Sequence, residues 1–101
     1  MKPLVIGSLD AVLGFGLVGV HGQAVTTVEE VSWALDEALQ DPEAGIILVT
    51  EDVAELIRPR MDQLMARSTV PLVVEIPGPE GPRPGRPGLS EVIRRAIGVR
   101  L

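Results

Sequence analysis

Gly14-Phe15-Gly16-Leu17-Val18-Gly19 has the G-x-G-x-x-G spacing that can cradle the pyrophosphate of a dinucleotide. That chemistry needs the first glycine in the tight turn directly after a strand, so that the amides of the following helix meet the phosphates. Here the apolar run of the first strand stops at Gly7, and the three glycines fall at the far end of the next helix. They are read as a helix stop and a place of close packing, and no cofactor is expected. Glu75 stands between Val74 and Ile76 in an apolar run, where a carboxylate is costly unless it is paired or near a sheet end. No second residue completes an acid/base pair with it, so a structural or interface role is expected. His21 is the single histidine and cysteine is absent, which leaves neither a Cys-based zinc site nor an imidazole pair. No catalytic residue and no metal ligand is assigned.

Composition bounds the elements that could position such groups. At 101 residues the chain forms one domain with one core, and with 46 % hydrophobic but 2 % aromatic residues that core is aliphatic. Net charge is −5 and the pI about 4.7, which with so few aromatics argues against a nucleic-acid partner. The charge is unevenly placed. Residues 83–101 hold five arginines and one acid, or +4, whereas residues 1–82 hold four bases and thirteen acids, or −9. The first 24 residues imitate a secretory signal, but Asp10 interrupts the apolar run and Ala11 to Val20 is too short to span about 30 Å of hydrocarbon. A soluble, cytoplasmic chain is expected.

Strand signals lie at Pro3 to Ile6, at Gln23 to Val25, in the uninterrupted apolar run Gly45 to Thr50, and in Leu72 to Ile76. Helix signals alternate with them. Ser8 or Asp10 opens a helix ending near Leu17. The overlapping capping boxes Thr26-x-x-Glu29 and Thr27-x-x-Glu30 open a second, with Val28, Val31, Leu35 and Leu39 at helical spacing to a stop near Asp41-Pro42. Thr50 or Asp52 caps a third, with Asp52-x-x-Glu55 as a further box, in which Val53, Leu56 and Ile57 face one way. Pro59 breaks or kinks it before Met61, Leu64 and Met65 resume the pattern. The alternation predicts an α/β fold, a parallel sheet with right-handed crossovers and helices on both faces. Trp33 lies off the apolar stripe of its helix among Glu29, Glu30, Asp36 and Glu37, where it is either an interface anchor or packing at the domain edge.

After Ile76 the composition changes. Five prolines and four glycines between Pro77 and Gly88 exclude helix and ladder, and Ser90 can then cap about two helical turns that stop at Gly98. The division is therefore residues 1–76 as the α/β body, 77–88 as a hinge containing Pro77, Gly78, Gly81, Pro82, Gly85 and Gly88, and 89–101 as a helical arm. The arm's Val92, Ile93 and Ile97 need burial that two turns cannot supply alone, and Arg94, Arg95 and Arg100 can meet acids. These six residues and Trp33 are the candidate partner-binding residues. The fold-level rival is a phosphoacceptor receiver domain, or a small α/β domain sensing a nucleotide or phosphate at its strand ends. A receiver wants clustered carboxylates for Mg²⁺ and a lysine for the phosphate. The first strand leads to one acid, Asp10, the Gly45 run ends in Thr50-Glu51, and the only lysine is Lys2.

These stretches in order resemble the F subunit of V-type (vacuolar/archaeal-type) rotary ATPases. The resemblance is carried by Gly7-Ser8-Leu9-Asp10, Leu13 to Val20, Gly45-Ile46-Ile47-Leu48-Val49-Thr50-Glu51, Ala54-Glu55-Leu56-Ile57-Arg58, Glu75-Ile76-Pro77, Gly81-Pro82 and Arg94-Arg95-Ala96-Ile97-Gly98. It departs from the family pattern at Ser8, at Gly16, where a larger residue is common, and at Gly78-Pro79. The resemblance implies a Rossmann-like, receiver-like sheet of four parallel strands. It implies a non-catalytic rotor subunit of the central stalk, whose C-terminal helix can extend along the coiled-coil D subunit. Nucleotide chemistry would belong to the A and B subunits of the head, and the chain would lie against the membrane through the complex without inserting.

Overall fold

The structure is a computed structural model that describes residues 1–67 and 69–78. The arm and all of the hinge beyond Gly78 lie outside the described residues. The chain runs β1 (Lys2–Gly7), α1 (Leu9–Gly16), β2 (His21–Ala24), α2 (Val28–Gln40), β3 (Ala44–Thr50), α3 (Glu51–Ala54), a 3₁₀ turn (Glu55–Ile57), α4 (Arg58–Met65) and β4 (Leu72–Ile76). The four strands form one all-parallel sheet in the order β2-β1-β3-β4, as the alternation predicts.

The register divides the side chains between two faces. Leu4 and Ile6 of β1, Ile47 and Val49 of β3 and Val73 of β4 point to one face, where α2, the 3₁₀ turn and α4 cover them. Val31 and Leu35 from α2, Ile57 from the turn and Met61 from α4 complete an aliphatic core, and Val31, Leu35, Ile47 and Met61 are fully buried. On the other face α1 lies over β1 and β2. Gly22 has to be glycine there: a Cβ would sit 2.5 Å from Val5 Cγ1 and 3.1 Å from Val12 Cγ1 of α1. Ile46, Leu48 and Val74, which share that second face on β3 and β4, are half-buried, and Leu72 is 42 % exposed.

Local chemistry explains the helix ends. Thr27 is the cap that the overlapping boxes leave open: its hydroxyl accepts from Glu30 N, and Glu30 reaches back to Thr27 N. Thr26 also donates to Glu30 Oε1 through both its amide and its hydroxyl. Ser8 caps α1 with a long 3.5 Å bond to Ala11 N. Pro59 stands in the first turn of α4, where a missing N–H is tolerated, so the expected break is a 3₁₀ turn followed by a fresh helix start.

Several expectations need correction. Thr50 takes the N-cap position of α3, but its hydroxyl makes no cap bond, because the side chain is buried against Gly7 on the sheet. Asp52 lies inside α3, so the Asp52-x-x-Glu55 box does not form. Val28 and Leu56 fit the helical spacing but are exposed, one at the first residue of α2 and the other on the outer side of the 3₁₀ turn. Gly19, at φ +86°, is the predicted stop after α1. Gly14 and Gly16 are not sites of close packing: a Cβ at either would meet nothing within 4 Å.

Candidate functional site

No group of three or more His, Cys, Asp or Glu among the described residues is arranged to hold a metal ion. The strand-end site that a receiver would need is not assembled either. Lys2 opens β1 and Asp10 follows that strand's other end, so the lysine sits at the opposite end of the strands, where it pairs with Asp41 at 3.7 Å and Glu43 at 3.5 Å. Glu75 is explained by structure. Its carboxylate takes both terminal nitrogens of Arg58, at 2.6 and 2.9 Å, and its side chain is 7 % exposed. Arg58 reaches β4 from the start of α4, and also holds Glu55 at 2.6 Å and Asp62 at 3.5 Å. The Glu75 hydrogen bonds raise the Arg58 pKa further above its ordinary value. Bidentate, charge-assisted bonds of this kind fix geometry as well as charge. The pair therefore ties α4 to the last strand.

The surfaces that can bind are on α1 and α2. On α1 only Ala11 is buried, because the helix lies so close to β1 and β2 that a methyl fills the space. Leu9, Leu13 and Leu17, at successive intervals of four, stand 60 %, 59 % and 89 % exposed, with Val18 beside them. Sequence reasoning missed this row. The signal was there in the small Ala11 opposite three leucines. Alongside it, Phe15 and Val18 of the α1 segment and Pro77 and Gly78 line an apolar groove of about 310 Å³. Two of the predicted hinge residues thus border α1. Gly81, Pro82, Gly85 and Gly88, and the predicted Val92, Ile93, Arg94, Arg95, Ile97 and Arg100, lie outside the described residues.

Trp33, the remaining predicted contact residue, is 56 % exposed on α2. It borders a second groove, of about 550 Å³, between α2 and the free edge formed by β2. The structure brings Trp33 together with His21 and Gln23 from β2 and with Glu37 from its own helix. Asp36 is engaged elsewhere, by Arg60 of α4.

Comparison with known proteins gives a consistent answer over almost the whole chain. A family model described as ATP synthase (F/14-kDa) subunit matches residues 4–97. The F subunit of the A-type ATP synthase of Thermococcus kodakarensis is 35 % identical, over 100 % of this chain and 98 % of the relative. That of Pyrococcus furiosus is 37 % identical over the same shares, and that of Methanothermobacter thermautotrophicus 35 % over 96 % and 92 %.

Proposed function

The chain belongs to the family of ATP synthase (F/14-kDa) subunits, and from that membership we propose that it is a non-catalytic component of the central stalk of a V-type rotary ATPase/ATP synthase. It binds the coiled-coil D subunit and helps to couple nucleotide turnover in the A/B head to ion translocation. The observation that carries the reading is the end-to-end match with F subunits of A-type ATP synthases, over 98 % of the relatives' length.

The division of labour follows from the charge and the apolar surface. Residues 1–76 are acidic, whereas residues 89–101 are basic and have Val92, Ile93 and Ile97 at helical spacing. Two turns are not stable alone, so the arm must lie on another apolar surface. Leu72, Val74, Leu48 and Ile46 offer one on the body, and the D coiled coil offers another. Exchange between two such surfaces leaves a small free-energy difference that partner binding can bias, with residues 77–88 as the hinge. Contact with the membrane is through the complex: no helix among the described residues is long and apolar enough to cross it.

The test is a pull-down of the full-length chain and of a form ending at Pro87 with the D subunit. Binding that requires residues 88–101 is the expected result. Failure of both forms to bind would overturn the proposal.

A further inference from the structure

At the β2 edge the covered face of the sheet is left partly open. The register Leu4↔His21 and Ile6↔Gln23 puts the His21 and Gln23 side chains on the same face as the core residues beneath α2. Both are nevertheless exposed, because α2 packs on β1 and β3 and stops short of the edge strand. The result is the 550 Å³ groove, with the apolar floor Leu4 and Ile6 and one wall from α2. On that wall Trp33, Glu37 and Asp41 follow at intervals of four, one above another.

The chemistry of the wall is directional. The indole of Trp33 is a cation-binding surface with an apolar body. Glu37, one turn on, is exposed and has no hydrogen-bonding or ionic partner among the described residues, in contrast with Asp36 and Asp41, which are held by Arg60 and Lys2. The groove also runs to the C-terminal end of α2, whose last turn contains no basic residue and whose exposed carbonyls carry partial negative charge. The body around it holds −9 in residues 1–82. A guanidinium on an aliphatic stem satisfies all of these at once: stem on the floor, plane on the indole, fork on Glu37.

We propose that this groove receives an arginine projecting from a helix of the D coiled coil, a contact on the body that is separate from the one made by the arm. The inference rests on the stalk reading above. It gives the chain two points of attachment, so that the body stays docked when the arm changes position.

Trp33 is the only tryptophan in the chain and makes the test direct. The full-length chain is labelled with 5-fluorotryptophan and titrated with unlabelled D subunit, so that the single fluorine resonance and the affinity are followed together. The expected result is a shifted Trp33 resonance on binding. Glu37→Lys should weaken affinity about tenfold or more, whereas Glu29→Lys, an equal charge change at the other end of α2, should alter it by no more than about twofold. Both substitutions are at exposed positions, and circular dichroism checks that they fold. Binding by the wild type with an unmoved Trp33 signal and an unaffected Glu37→Lys variant would overturn the groove assignment while leaving the stalk reading intact. A wild type that does not bind D at all removes both. If truncation at Pro87 shifts the Trp33 signal of the free chain and the D coiled coil does not, the groove belongs to the chain's own arm and the inference is wrong.

Discussion

α1 and α2 cover opposite faces of the same sheet, yet they handle their apolar residues in opposite ways. α2 turns Val31, Ala34, Leu35 and Ala38 inward and is locked at its start by a reciprocal capping box. α1 turns one alanine inward and two leucines outward, with Leu17 exposed at its C-cap, contains two interior or terminal glycines, and begins at a long cap bond. The first arrangement is a finished fold. The second leaves a row of exposed apolar side chains, a feature associated with contact sites. For a member of a family of assembly subunits, the side chains that seal the fold are thus concentrated on the α2 face, while the α1 face leaves leucines in the open.

Breaking each face in turn tests that separation. Leu35→Ala, in the sealed face, should cost about 2–5 kcal/mol in urea unfolding of the full chain, and Leu13→Ala on α1 no more than about 0.5 kcal/mol. Comparable losses at the two positions would mean that α1 is as much a core helix as α2. Removing Arg58 should rank next. Arg58→Ala leaves the nearly buried Glu75 without its bidentate partner and should cost about 2 kcal/mol, less than a fully buried pair because Arg58 is itself 24 % exposed. The double variant Arg58→Met, Glu75→Leu should recover much of that loss, and a double variant as unstable as the single one would show that the pair does more than satisfy its own charges.

The caps sharpen the comparison at a smaller scale. Thr27→Ala should lower stability by about 1 kcal/mol, and Ser8→Ala on α1 by only a few tenths, in thermal melts of both variants. The smallest expected effect is a pH dependence. Hydrogen bonds from the Thr26 hydroxyl, then from the Thr26 and Thr27 amides, hold the Glu30 carboxyl below its usual 4.5. Its folded value is depressed, so its stabilising contribution is present above 4.5 and is lost as pH falls through the folded value. Glu30→Gln keeps an acceptor in the box but not the charge. The melting-temperature gap between wild type and this variant should be widest near neutrality and close below 4.5. A gap that stays constant across this range would assign the effect to the hydrogen bonds alone.

How much was legible varied with the range of the interaction. Thr27, Glu30, Val31 and Leu35 act within two turns of one helix, so α2 could be read from the chain. The unbroken run at Ile46 to Val49 marked a buried strand for the same reason. Thr50 takes the N-cap position that the sequence offered, but not the cap bond, because its side chain fills the space beside Gly7 on the neighbouring strand. The outward leucines of α1 were missed because a four-residue interval says which side chains share a side of a helix but not which side meets the sheet. Of the candidate binding residues, Trp33 stood out because an indole among acids is unusual by composition alone, but the groove it borders did not, since His21 and Gln23 reach it only through strand register.

The amino-acid sequence by itself determined the alternation of elements, the charge asymmetry between residues 1–82 and 83–101, the capping of α2 and the family, all of which follow from local propensity, charge count and the order of short motifs. Only the tertiary structure decided that Arg58 meets Glu75 across 17 positions, that β1 and β3 are the inner strands, that Ala11 rather than the leucines faces the sheet, and that β2 is left half-covered beside Trp33. The physical reason is that a local signal selects a conformation for a segment. The face it buries depends on the volume left by residues far away in the chain.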